Sequence, residues 1–320
     1  MSYNLSLNAA QRKKNDEFYT QLSDIQKELR HYKPHFKDKT VYCNCDDPTI
    51  SNFWKYFSIE FERLGLKKLM ATCYKNSNQD LFSDHTVEKS FQMEYFGGNN
   101  DTRIKYLKGD GDFRSAECIE LLKQADIIVT NPPFSLFREY IAQLIKHEKQ
   151  FLILGNMNAI TCKDIFPLIK ENRMWLGYEL GWRDILFDVP DDYALELVET
   201  KKEGSAYRIV DGVVKGSFRN ITWFTNLDHS NRYKPLELFR TYTPQEYPTY
   251  DNCNAINVSK TANIPKDYDG LMGVPITFLK KHCPEQFDII GFRKGDDGKD
   301  LSINGDYTYI RILIKKKQSS

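Results

Sequence analysis

The stretch Ala125-Asp126-Ile127-Ile128-Val129-Thr130-Asn131-Pro132-Pro133-Phe134 decides how this chain reads. Ile127 to Thr130 is an unbroken β-branched run, the pattern of a strand buried on both faces of a parallel sheet. Asn-Pro-Pro stops it abruptly, because proline has no N–H to give a ladder and its ring locks φ. Open α/β sheets bind ligands beyond the carboxyl ends of their strands, so Asn131, Pro132, Pro133 and Phe134 stand where a ligand is expected. With proline near 5% of residues, a chance match to this pattern is on the order of one per cent in a chain this long. The plainer alternative is a strand-ending turn with Phe134 in the core.

Working outward, residues 20 to about 225 alternate β-rich runs with helical ones, the mark of an α/β domain with parallel strands. Ser23 and Gln26 form a capping box for a helix carrying Ile25, Leu29 and Tyr32. Lys39 to Cys45 reads as a strand. Phe53, Phe57 and Phe61 after Ser51 read as a helix stopped at Gly65. Lys67 to Cys73 is a second strand, and Gly97-Gly98 turns a hairpin between Met93–Phe96 and Ile104–Leu107. Glu117 to Gln124 is helical and runs into the decisive strand. Ser135 caps a helix from Leu136 to about His147, and Gln150 to Gly155 is the next strand. Two further βα steps fall near 163–171 and 174–177. Arg208 to Val214 is a hairpin about Asp211-Gly212, and Ile221 to Asn226 is a late strand of the sheet.

From 226 on the chain changes character, with 7 Tyr, 7 Asn and short irregular runs in 226–320. Such a loop-rich segment is expected to pack on a scaffold rather than fold alone. The expected division is therefore 1–225 and 226–320, with 178–220 as a further contributor to the second part's work. The tail RILIKKKQSS reads as a solvated end, with a phosphate contact as the alternative.

Composition removes several classes. Lys plus Arg number 45 against 44 Asp plus Glu, a formal charge of +1, so any nucleic-acid binding must come from local patches. No apolar run approaches the roughly 20 residues of a membrane span, and the first residues hold no signal-length apolar stretch, so a cytoplasmic protein without membrane partners is expected. Seven scattered cysteines read as reduced thiols. Cys43-x-Cys45 lacks a partner pair, the six histidines show no zinc spacing with it, and no metal site is expected. The Asp110 loop has Leu121 where an EF-hand needs its bidentate Glu, which discards calcium.

The tetrapeptide suits one chemistry. The amino group of an adenine is a poor nucleophile because its lone pair is delocalised into the ring. Acceptors that pull the nitrogen toward tetrahedral geometry restore it: the Asn131 side-chain carbonyl and the Pro132 backbone carbonyl, held in direction by the two prolines. Phe134 offers a flat face for the base. A sulfonium methyl donor leaves as a neutral thioether, so neither a metal nor a dedicated base is needed.

These residues carry a resemblance. The chain resembles the amino-group DNA methyltransferases that use S-adenosylmethionine, and more closely the EcoRI-type adenine-specific methyltransferases. The likeness lies in DEFYTQ (16–21), VYCNCDDP (41–48), GDGDFRS (109–115), DIIVTNPPFSLFREY (126–140), GVPITFL (273–279) and FRKGDDGKDLSING (292–305), the last two being particular to that type. It implies an α/β fold with a Rossmann-like methyltransferase sheet, an appended loop-rich target-recognition region, S-adenosylmethionine as cofactor, double-stranded DNA as substrate and a restriction endonuclease sharing its site, GAATTC-like. By the same resemblance Phe18 and Tyr19 pack on the methionine part of the cofactor; the local alternative for Phe18 is a staple for the helix after Ser23. Asp46, Asp47 and Pro48 end the first strand and accept from the cofactor's ammonium, or else form a plain turn capping the next helix. Asp112 accepts from the cofactor's adenine amine and Phe113 packs its ring, or both belong to a Gly/Asp turn. Asn131 serves cofactor and target alike. Two departures stand out: no G-x-G follows the first strand, and Tyr74 and Lys75 occupy the position of the ribose-binding acid. Methylation of RNA or a protein amide, a silent nucleic-acid-binding module and, remotely, an NAD-type oxidoreductase are the competing readings.

Overall fold

The computed structural model describes residues 19–45, 47–74, 89–98, 102–179, 185–189, 191–218 and 220–318. The chain divides into two compact units, 1–159 with 179–227 and 160–178 with 228–320.

The first unit opens with β1 (Tyr19–Thr20) and α1 (Leu22–Leu29), then α2 (Lys33–Phe36). The helix N-cap is Gln21, not Ser23, and no side chain caps it. The reason lies far away in sequence: Thr20 is drawn into a strand, and Gln21 Nε2 donates to Asp188 Oδ2 at 2.6 Å, fixing where the chain leaves extended geometry. Next come β2 (Thr40–Cys43), α3 (Asn52–Ile59), α4 (Phe61–Leu64) and β3 (Lys68–Thr72). Ser51 Oγ accepts from Phe53 N, and Gly65 ends α4 in the left-handed region at φ 64°, the stop the sequence predicts, although the single expected helix breaks at Glu60 into α3 and α4. Hairpin β4 (Phe91–Tyr95) and β5 (Thr102–Tyr106) precedes α5 (Ala116–Gln124), β6 (Ile127–Thr130), α6 (Phe137–Lys146) and β7 (Gln150–Asn156). Ser135 does not cap α6; Phe134 to Leu136 form a 3-10 turn directly after the prolines, so the helix starts at Phe137.

The insert 160–178 carries α7 (Phe166–Lys170) and β8 (Trp175–Leu176) and belongs to the second unit. The first unit resumes with β9 (Ile185–Asp188), α8 (Asp191–Thr200), β10 (Tyr207–Val210), β11 (Val213–Phe218) and β12 (Ile221–Thr225). Its main sheet runs β5-β4-β3-β2-β6-β7-β12. β3, β2, β6 and β7 are parallel, β12 is antiparallel to β7, and the β4–β5 hairpin returns β5 parallel to β3. The parallel centre is buried throughout, with Val41, Ile127, Ile128, Val129 and Phe151 to Leu154 sealed from solvent, as expected of strands covered on both faces. Gly155 lets α6 close on the sheet, since a Cβ there would collide with the Phe137 ring. A smaller antiparallel sheet, β1-β9-β11-β10, takes up the hairpin about Asp211-Gly212.

The second unit corrects the expectation of a scaffold-dependent segment. It builds its own sheet, β13 (Thr249–Tyr250), β14 (Cys253–Asn257), β15 (Leu271–Pro275), β16 (Phe287–Phe292) and β19 (Arg311–Lys316) in the order β13-β14-β15-β19-β16, with the small hairpin β17 (Ser302–Ile303) and β18 (Asp306–Tyr307). Tyr250, Cys253, Ala255, Leu301 and Leu313 pack as one core. The tail is solvated only from Lys315 on: β19 is an interior strand with Ile312, Leu313 and Ile314 buried, while Lys315, Lys317 and Gln318 are exposed. The insert is held within this unit by polar contacts. The Arg232 guanidinium lies over the Trp175 ring at 3.5 Å, Arg232 Nη2 donates to Asn172 Oδ1, and His229 Nε2 meets the Leu176 carbonyl at 3.0 Å. Both type-specific motifs have structural work here: Gly273 makes room for the Tyr250 ring, and Asp300 gathers Arg293 and Lys294.

Among the described residues no helix is long and apolar enough to cross a membrane, all seven cysteines are free, and no three His, Cys, Asp or Glu side chains cluster as a metal site would require.

Candidate active site

The carboxyl ends of β2, β3 and β6 lie side by side, and buried polar contacts stitch them together. Asn44, one residue beyond β2, is the knot: its backbone carbonyl accepts from Thr130 Oγ1 at the end of β6, and its Oδ1 accepts from the Tyr140 hydroxyl on α6. Burial pushes the Tyr140 phenol well above its ordinary pKa, so it stays a neutral donor. Tyr42 and Thr72 hydroxyls join β2 to β3 at 2.7 Å. Sequence reasoning missed Asn44 and Tyr140, since nothing in VYCNC or LFREY marks a contact across 96 residues.

On this base the tetrapeptide is presented. Asn131 is buried at 7% exposure, its Oδ1 included, and Pro132 is buried beside it, while Pro133 and Phe134 are half-buried. The Pro133 carbonyl accepts from Leu136 N at 2.9 Å, which closes the 3-10 turn and sets the direction of the preceding peptide. Phe134 meets Phe187 of β9 edge to face, centroids 6.4 Å apart. Phe187 is fully buried, and its strand is pinned by Asp188, which receives both Gln21 and Lys215.

The second group of expected residues arrives on the loop after β5, which ends at the same sheet edge because β5 is parallel to β3. Gly111, with φ 80°, sits against the Cys73 carbonyl at the end of β3, and Cys118 Sγ and Ser90 Oγ bond the Gly111 and Asp110 carbonyls. Phe113 is buried, edge-on to Tyr140 at 5.0 Å, with its carbonyl held by Gln143 Nε2 at 3.0 Å. Asp112 is gripped by Arg114: Nε to Oδ1 at 2.8 Å, Nη2 to Oδ2 at 2.6 Å, and the Arg114 backbone N to Oδ1 at 2.8 Å. Those hydrogen bonds hold its pKa below the usual carboxylate range, so it is ionised at neutral pH. A carboxylate has about four lone-pair sites, and three donors leave one on Oδ2 for a ligand. Tyr140 thus ties Phe113 and the Asn131 strand to one side chain.

The turn after β2 answers the question raised by the missing glycines. Cys45 adopts φ 75°, the left-handed conformation that glycine normally supplies. Asp47 Oδ1 accepts from Thr49 N at 2.9 Å and Thr49 Oγ1 at 2.6 Å, which shapes the turn, and Pro48 is buried. Phe18 and Asp46 lie outside the described residues, as does Lys75; Tyr19 pairs its backbone with Asp188, and its side chain is outside the described part. A left-handed residue costs about 1–2 kcal/mol when it carries a Cβ, and branching at Cβ adds to that. We therefore expect Cys45→Gly to keep stability within about 1 kcal/mol of the parent and Cys45→Val to lose about 2. Denaturant melts check this; equal tolerance of both residues would remove the strain from Cys45.

A parallel-centred α/β sheet that presents Asn-Pro-Pro-Phe after β6 and an Asp-Phe pair on the loop after β5, at the same sheet edge, has the layout expected of an amino-group methyltransferase. Comparison with known proteins narrows it: the family model of the adenine-specific methyltransferase EcoRI matches residues 6–317, and the chain belongs to that family, an adenine-specific DNA methyltransferase of restriction-modification type. It is 53% identical to the type II methyltransferase M.EcoRI of Escherichia coli, across 98% of this chain and 97% of that protein. The type II methyltransferases M.MgeORF184P of Mycoplasma genitalium and M.MpnI of Mycoplasma pneumoniae are 39% and 37% identical, each over at least 97% of both chains. No solved structure matches the chain. The oxidoreductase and protein-amide readings fall with this result.

Proposed function

We infer that the chain transfers a methyl group from S-adenosylmethionine to N6 of an adenine turned out of double-stranded DNA, at a GAATTC-like site shared with a cognate endonuclease. The observation that carries this is the stitched edge, where Asn44 and Tyr140 hold the Asn131 corner and the Asp112-Phe113 loop in one rigid frame. The residues fit the cofactor. Asp112 keeps an acceptor site for an adenine amine, the buried Phe113 is the ring assigned to pack on its base, and Cys45 takes the left-handed conformation with which a glycine turn lets backbone approach a ligand. Asp46 and Asp47 are the carboxylates for its ammonium, and Phe18 and Tyr19 the cover for its methionine part.

The cofactor supplies an electrophilic methyl on a sulfonium. The chain's own residues prepare the acceptor. The Asn131 side-chain carbonyl and the Pro132 carbonyl accept hydrogen bonds from the two N–H groups of the target amine, which turns its lone pair out of the ring plane, and the methylated, cationic amine then releases one of those protons to solvent. Phe134, backed by Phe187, takes the face of the base. Extrusion is required because an amine inside a duplex cannot reach a donor in a cleft, at a cost of a few kcal/mol. We assign target recognition to the second unit together with 178–220. A DNA substrate supports the reading of a cytoplasmic enzyme.

The test is direct. Purified chain is incubated with unmethylated genomic DNA and methyl-labelled S-adenosylmethionine, and modified adenines are mapped by single-molecule sequencing. N6-methyladenine in one short sequence context is expected; label in RNA or protein alone overturns the acceptor.

A further inference from the structure

Extruding a base leaves a hole in the stack, and a protein that fills it needs an apolar side chain on a stiff, exposed support near its catalytic corner. The hairpin β10–β11 has that form. Asp211 and Gly212 both take positive φ, 50° and 77°, giving a tight turn that continues the strand twist. The pairs Ile209↔Val214 and Val210↔Val213 close the tip. A surface hairpin normally carries polar residues there, yet Ile209, Val210 and Val213 are 50%, 39% and 53% exposed. At its root the hairpin is solid: Tyr207, Gly216 and Ser217 are buried, and Ser217 N bonds the Ala206 carbonyl at 2.8 Å.

The root also connects to the site. Gly216 stands opposite Phe187 in the β9–β11 ladder, and Phe187 is the ring that supports Phe134. Lys215 stands opposite Asp188 and bonds it. From Gly216 to Val213 is three residues, so the tip reaches roughly 10 Å beyond the Phe187 pair at about 3.3 Å per residue. Along 201–215 the sequence places Lys201, Lys202 and Arg208 beside Glu203 and Asp211, while Lys215 is engaged by Asp188, so cations flank the tip where phosphates would lie on either side of an inserted hairpin.

We propose that the β10–β11 tip, through Ile209, Val210 and Val213, is the wedge that enters the duplex beside the target adenine and fills the stack it vacates. The proposal rests on the base-extrusion reading given above, and it commits to DNA as the occupant of this patch.

The experiment uses the full chain with Ile209, Val210 and Val213 all changed to Ser, on two duplexes carrying the adenine site mapped on genomic DNA. One duplex is intact; in the other an abasic nucleotide faces the target adenine, so that extrusion is already easy. The parent protein must first methylate the intact duplex; failure there strikes the proposed function and not the wedge. The triple variant is expected to keep its melting temperature and cofactor affinity, to lose about 10- to 100-fold in kcat/KM on the intact duplex, and to recover to within about 3-fold of the parent on the abasic one. With 2-aminopurine at the target position, the fluorescence rise on binding should shrink in parallel. No loss, or the same loss on both duplexes, overturns the proposal. So does a protein dimer that the variant dissociates while transfer to the intact duplex is unchanged, since the tip would then serve a second copy of the chain.

Discussion

Asn131→Ala is expected to fold, to bind S-adenosylmethionine within about threefold of the parent, and to lose kcat by roughly 10²- to 10³-fold, the usual effect of removing one preorganised polar group aimed at developing charge. The side chain is buried and short, its neighbours Thr130 and Pro132 are fixed by Asn44 and by the prolines, and truncation removes an acceptor without freeing the backbone. The amine then keeps only the Pro132 carbonyl and stays close to planar, so its lone pair remains in the ring. Single-turnover kinetics on the mapped duplex, beside equilibrium dialysis of the cofactor, separates the two effects. A kcat equal to the parent's ends the mechanism assigned to Asn131.

Gly111→Ala should do the opposite: damage the fold of the site first and the reaction through it. A Cβ at Gly111 would lie 3.1 Å from the Cys73 carbonyl carbon, closer still to its oxygen, and 3.3 Å from Ser90 Cβ. Two of these are backbone atoms of Cys73, just past β3 and held by the bond from Cys73 N to the Phe91 carbonyl, and φ 80° is itself unfavourable for alanine. Together the clash and the strain cost roughly 2–4 kcal/mol, or about 5–15 °C in Tm for a unit of this size. Because Asp112 and Phe113 follow at once, cofactor affinity should fall at least about tenfold, as misplacement of a binding loop does. Gly204→Ala is the control, with φ 79° and nothing within 4 Å, so it bears only the backbone strain of about 1 kcal/mol. Equal melts for the two variants would show that the Gly111 loop yields.

Much of the fold was legible because its signals are local. The β-branched run Ile127 to Thr130, the phenylalanines at helical spacing after Ser51, and Asp211-Gly212 each state their structure within a few residues. The errors arose where a distant partner decides. Ser23 looks like a cap, yet Gln21 takes that place because Asp188 holds its side chain. Ser135 lost its cap to the 3-10 turn that two prolines impose. Ile312 to Ile314 look like a tail because lysines follow, whereas β15 and β16 flank them and bury all three. Within the site, the residue types could be read but not their bonds. Asp112 is shaped by Arg114, two positions on, while Asn44 and Tyr140 meet only through the sheet. Cys45 shows that a turn expected from glycine can form without it, which no motif search would register.

The interrupted path of the second unit bears on how such chains could exchange this unit by recombination. A single crossover near 226 transplants 228–320 but leaves the resident 160–178 behind, so the incoming Arg232 and His229 meet a Trp175, Asn172 and Leu176 carbonyl from another lineage. Hybrids that keep these contacts therefore require two coordinated exchanges, and this unit should change by point substitution more readily than by shuffling.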